Sequence, residues 1–168
     1  DESALLRCLE RALGQALDAT RKMRRQEGEA TQLDMEARLL QLEKVLGDVE
    51  SRAPRVSIEW RDKLALRLAK LQTDFEYDPQ RVAQEIAIFA DRCDISEEIT
   101  RFRSHLEQFR GLFAQAEPVG RQMDFLVQEL NREVNTMGSK SNDGDLTRMV
   151  VGMKAELEKI REQVQNIE

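Results

Sequence analysis

Apolar residues recur at spacings of three and four along nearly the whole chain, and this rhythm confines it to amphipathic helices. Leu5, Leu6, Leu9, Leu13 and Leu17 open the pattern and Met23 extends it, which predicts a helix from about Ala4 to Arg25. Gly28 weakens the helix beyond that point, and Thr31 with Asp34 makes an imperfect capping box, so kink or continuity stays open there. Met35, Leu39, Leu42, Leu46 and Val49 form a clearer stripe that is expected to end near Ser51. Pro54 lacks the backbone donor a helix interior needs, so residues 55–60 are expected to turn or to begin a third helix. Ile58, Leu64, Leu68 and Leu71 would carry that helix to about Phe75. Asp78 before Pro79 reads as an N-cap and first-turn pair, since the carboxylate accepts orphan amides and proline has none to leave unpaired. Val82, Ile86, Phe89 and Ala90 predict the buried side of the helix it starts, and Asp94 with Glu97 divides that helix from the next.

Three seams follow. Ile95, Ile99, Phe102, Leu106, Phe109 and Phe113 make the first; Met123, Val127, Leu130, Val134 and Met137 the second, after Pro118; Leu146, Val150, Met153, Leu157, Ile160, Val164 and Ile167 the third. Residues 138–144, GSKSNDG, contain no apolar side chain and predict a loop whose amides, with Ser139 and Lys140, could receive a phosphate; the P-loop pattern is absent. With three prolines, eight glycines and 35% charged residues, a strand-rich sandwich is excluded. The expected fold is all-α, with long amphipathic helices packed as antiparallel hairpins or coiled coil. Residues 1–78 form a helical arm or linker in this reading, and 79–168 a C-terminal helical domain.

A formal net charge of −6 argues against a whole-surface basic footprint for nucleic acid, but a local basic path is compatible with it. Arg21, Lys22, Arg24 and Arg25 are the densest positive patch, either a phosphate-contact surface or the basic end of a helix. Cys8 and Cys93 belong to no metal-binding spacing and read as buried, reduced thiols of an intracellular protein. No apolar run suits a membrane span, and no signal peptide is visible. The chain begins at Asp1 in helical pattern, so it is expected to be the later part of a longer protein.

The single histidine, His105, lies beside Arg101 and away from the centre of its seam; it reads as an exposed or structural residue, a metal ligand or an acid/base group. With Met123, Val127, Leu130 and Val134 buried, Asp124, Gln128, Asn131 and Asn135 make one polar strip and Glu129, Arg132 and Glu133 another. Such strips can hold a hard cation and position a phosphodiester, or can be a solvated, salt-bridged face. If the helices pack antiparallel, Glu85 or Asp91 would meet Glu98, His105, Glu129 and Glu133 in a cleft suited to Mg²⁺ or Mn²⁺.

The run RVAQEIAIFADRCDISEEITRFRSHLEQFR, then EPVGRQMDFLVQELNREVNTMGSKSND and the closing KAELEKIREQVQNIE, resembles the C-terminal region of the YicC/YloC family of bacterial endoribonucleases. RRQEGEATQLD, residues 24–34, extends a looser likeness towards the start, and Gly144 departs from the pattern only at a loop end. The resemblance implies a cytoplasmic, divalent-metal-dependent enzyme that cuts RNA and assembles as a homo-oligomeric ring, a hexamer, and it implies a further N-terminal domain absent from this chain. On that footing Glu129 and Glu133, joined by Glu85, Glu98 or His105, would hold Mn²⁺ or Mg²⁺, with Glu129, Glu133 and His105 as the catalytic set. Arg101, Arg121, Gln128, Asn131, Arg132, Asn135 and Lys140 would contact RNA. Water or the RNA 2′-hydroxyl would attack, with His105 as base in the second case. The rival readings are a noncatalytic RNA-binding adaptor and a helical oligomerisation module.

Overall fold

A computed structural model describes residues 2–71, 78–115 and 117–167. Five α-helices account for nearly all of them: α1 Glu2–Leu71, α2 Pro79–Cys93, α3 Ser96–Leu112, α4 Gly120–Lys140 and α5 Gly144–Val164. There is no strand among the described residues, so the all-α expectation holds. Two compact units are distinguished, Asp1–Ala37 and Arg38–Glu168.

In the first unit, Gly28 leaves the helix unbroken. Leu5, Leu6, Leu9, Leu13, Leu17 and Met23 are all at least half exposed, so this apolar face stands uncovered among the described residues. Cys8 is exposed rather than buried. Arg21, Lys22, Arg24 and Arg25 are exposed too, but they lie in mid-helix, which removes their reading as a helix C-terminus.

The second unit is a helical bundle. Leu39, Leu42, Leu46, Val49 and Val56 of α1 are buried, and so are the expected seams of α3, α4 and α5 apart from the half-buried Phe113 and Ile167. α4 packs against both α3 and α5. α2 is more peripheral than its pattern predicts: none of its residues is fully buried, and its Phe89 stacks flat on Trp60 with ring centroids 4.0 Å apart. Cys93 is half-buried and unpaired, and burial raises its thiol pKa. The cap at Asp78 is as read, whereas the N-cap position of α3 is Ile95 and carries no side-chain cap bond. Asp78 accepts from the Gln80 amide and Asp94 from the Ser96 amide, each at 2.9 Å.

Two expected breaks are corrected. Pro54 sits inside α1. The lost backbone bond is outweighed by tertiary anchors on both sides of it: Val49 and Val56 are buried, and Arg52 reaches across the proline to Glu59, with a 2.9 Å bond from Nη2 to Oε2. The loop expected at 138–144 shrinks to 141–143, because α4 continues through Lys140. Gly138 serves packing rather than a turn: a Cβ there would come within 3.1 Å of Val150 on α5. Gly120 similarly admits the carbonyl of Ile167, 2.7 Å from where a Cβ would lie.

Polar ties connect the same helices. Arg110 binds Glu43, Arg103 binds Glu50 at 2.7 Å, and Arg38 binds Glu156 at 3.0 Å. Arg52 grips both oxygens of Asp143, at 3.2 and 2.6 Å, while Asp143 caps α5 by accepting from the amides of Asp145 and Leu146. The guanidinium and the cap hold the Asp143 carboxyl at a pKa of about 2, below its ordinary 3.8. A depressed carboxylate pKa contributes stability that is present above the ordinary value and is lost as pH falls through the folded one. Urea titrations of the wild type should therefore show a loss of stability between about pH 4 and pH 2, and Asp143→Asn should flatten that slope. Asp143→Ala should lower stability at pH 7 by about 1–2 kcal/mol from the lost cap alone.

Candidate metal centre

Glu129 and Glu133 are one turn apart on α4, which puts both carboxylates on one side of that helix. The side they occupy faces α3. There His105 joins them, and one ligand atom from each of the three lies within 4.8 Å of the others. With bonds of about 2.1 Å to a six-coordinate Mg²⁺ ion, neighbouring ligands are about 3.0 Å apart and opposite ones about 4.2 Å, so the three side chains would have to draw together to close on a cation. Burial adds to the fit. Glu133 is only 3% exposed, and His105 Nδ1 is buried without a hydrogen-bond partner. A buried carboxylate needs a compensating charge, and a buried imidazole nitrogen needs a partner. Two oxygen donors and one nitrogen suit a divalent ion and leave coordination positions open.

Cationic side chains rim this group. Arg101, half exposed on α3, lies 3.9 Å from Glu133 and is paired with Glu97; Arg132 lies 3.7 Å from Glu129. Lys140 binds Glu98 at 2.8 Å. The structure thus brings together three of the five expected ligands. Glu98 is buried but is paired with Lys140, and its Oε2 has no partner. Glu85 stands exposed on α2, outside the group. Asp91 lines a cavity of about 440 Å³ with Glu50, Cys93, Asp94 and Ser96 instead.

The amide strip of α4 faces elsewhere. Gln128, Asn131, Arg132 and Asn135 line an open cleft of about 560 Å³ together with Glu158 and Arg161 of α5. Within the strip Gln128 donates to Asp124 at 2.8 Å and Asn131 to the Val127 carbonyl at 3.2 Å. Arg121 is exposed at the start of the same helix. Of the expected RNA contacts, Arg101 and Lys140 therefore lie on the α3 side, the amides lie on the α5 side, and Arg132 touches both. The contribution of α5 through Arg161 is absent from the sequence-based expectation; its place in a helix at the end of the chain carries no local signal.

An all-α bundle with a histidine and two glutamates converging between two helices defines the class: a helical domain with a potential divalent-metal centre. The chain belongs to the family described as "Endoribonuclease YicC-like, C-terminal", which it matches over residues 49–168. It is 44% identical over 169 residues to a "Probable endoribonuclease YicC" of Clostridioides difficile (strain 630), covering 100% of this chain and 58% of that protein. It is 39% identical over 147 residues to a protein of the same description from Haemophilus influenzae, covering 87% of this chain and 50% of that protein. The chain thus spans between half and three-fifths of the length of these relatives.

The Glu98–Lys140 pair has a consequence for stability. Removing the ammonium leaves a buried carboxylate without its partner, so Lys140→Met should destabilise the bundle by about 1–3 kcal/mol, less than a fully buried pair because Lys140 is partly exposed. Thermal or urea unfolding checks this, and Lys140→Met combined with Glu98→Leu should recover most of the loss, since no unpaired charge then remains.

Proposed function

We propose that the protein is an endoribonuclease that cuts RNA phosphodiester bonds with a divalent metal, Mn²⁺ or Mg²⁺, held by His105, Glu129 and Glu133. The observation that carries this reading is the convergence of those three side chains across α3 and α4. The description of the relatives as probable endoribonucleases supports it independently. When bound, the cation supplies positive charge at a phosphoryl oxygen and an acidified water. Glu129 and Glu133 would hold it through their carboxylates. The buried Nδ1 of His105, which has no hydrogen-bond partner, favours its use as a ligand; its use as base towards an attacking 2′-hydroxyl is the other route. Arg101 and Arg132 stand beside the carboxylates and are placed to bind phosphate oxygens and offset charge in the transition state. Glu85 and Glu98 are left out of the ligand set.

The polar pairs support antiparallel packing as the frame of this centre. Along α3 and α4, Glu98 meets Lys140 and Arg101 approaches Glu133; along α1 and α3, Glu43 meets Arg110 and Glu50 meets Arg103. In each pair of helices the numbers rise on one as they fall on the other. The exposed leucine stripe of the first unit supports self-association, the hexamer and a cytoplasmic setting being what the family likeness implies.

Full-length protein incubated with labelled RNA should cut it in Mn²⁺ or Mg²⁺ and not in chelator. Glu129→Gln and Glu133→Gln should each lower kcat by at least about 100-fold while RNA binding and oligomeric state are kept. Cutting unchanged in both variants rejects this centre, and RNA binding by the wild type without cutting favours an adaptor.

A further inference from the structure

Among the described phenylalanines, Phe102 and Phe109 are fully buried, Phe113 is half-buried with its ring edge-on to Phe109, and Phe89 stacks on Trp60. Phe125 is different. It is 58% exposed on α4 and takes part in neither ring pair. Its ring forgoes the burial that the other four obtain and presents an uncovered aromatic face.

Its neighbours say which ligand. Arg121, Phe125, Gln128 and Arg132 follow one another at spacings of four, three and four, which makes one exposed stripe along α4 with the ring between two guanidiniums. An interface for another helix would surround the phenylalanine with further apolar side chains; here both flanking turns are cationic or amide-bearing. Arginines that bind phosphate, interleaved with an aromatic face and an amide, are the composition of a surface for unpaired nucleotides. The stripe also adjoins the metal centre. Phe125 precedes Glu129 by one turn, about 6 Å along the helix axis, and Arg132 of the stripe lies 3.7 Å from Glu129.

We propose that Phe125 is a stacking platform for a base of the RNA strand whose phosphate reaches His105, Glu129 and Glu133. This rests on the endoribonuclease reading above and adds a substrate preference to it. A base within a duplex already has both faces stacked, so the platform selects strands that are unpaired at the nucleotide it holds. Stacking on phenylalanine reads no hydrogen-bonding edge, so it imposes no base identity.

The test uses full-length protein, a short unstructured RNA, and the same RNA carrying an abasic nucleotide at each position of its length in turn. Dissociation constants come from fluorescence anisotropy in chelator, and kcat and KM from cutting in Mn²⁺. Phe125→Ala should weaken binding by about 5- to 150-fold, the range for loss of one base–aromatic stack. One abasic position should cause a similar loss in the wild type and no further loss in Phe125→Ala. Phe125→Trp should restore binding where Phe125→Leu does not, with oligomeric state unchanged by light scattering. Wild-type affinity in Phe125→Ala overturns the proposal, as does full rescue by Phe125→Leu, which marks a merely apolar contact, or abasic and Phe125→Ala losses that add. If the wild type binds RNA but does not cut it, the endoribonuclease reading fails while the abasic comparison still decides the platform; if it does not bind RNA, both fail.

Discussion

The contact between α3 and α4 is the constraint on which the candidate centre depends. α3 packs on α4, Phe102, Leu106 and Phe109 of α3 are wholly out of water, and so are the seam residues Leu130 and Met137 of α4, which packs on α5 as well; close packing leaves such helices little freedom to slide. A shift of one helical turn would move His105 about 5.4 Å along α4 and separate it from one of its two carboxylates. The seam therefore does more than bury area: it fixes the register in which a nitrogen from one helix meets two oxygens from the other. Glu133, at 3% exposure, shows how close that polar group lies to the apolar layer.

Around this contact the bundle is held by ties of different kinds. The guanidinium of Arg52 links the middle of α1 to the cap of α5, and it does so next to Pro54, where the helix has lost a backbone bond. Glycines do the opposite service, by removing bulk: Gly138 lets α4 approach Val150, and Gly120 leaves room for the Ile167 carbonyl. The position of α4 between α3 and α5 follows, and it explains how one helix offers carboxylates to one groove and amides to another.

The two grooves suit successive parts of one polymeric ligand. On the proposed reading, the phosphate is handled at the α3 side by carboxylates and arginines, and the strand continues over the exposed face of α4, past Phe125 and Arg132, towards the cleft lined by Asn135 and Arg161. The negative net charge is compatible with this because Arg101, Arg121, Arg132 and Arg161 supply a local basic path, although Asp124 and Glu158 also lie along it.

The sequence by itself determined the helical class, the apolar seams of α3, α4 and α5, the cap at Asp78 and the polar strips of α4, since these depend on residue spacing and on hydrogen bonds between near neighbours. It also named His105, Glu129 and Glu133 among the candidates, and the YicC-like likeness gave those residues a chemistry. Local rules misplaced two boundaries. Pro54 was expected to break a helix that Arg52 and two buried valines hold together, and Gly138 was expected in a loop although it is a point of close helix contact. Only the tertiary structure decided which acids converge. Glu98 looks no different from Glu129 along the chain, yet the register of α3 on α4 places it opposite Lys140, and Glu85 lies on a helix too peripheral to contribute. The same register left Phe125 in solvent, since whether a helical phenylalanine is core or surface is settled by what packs on its face and not by the residue itself.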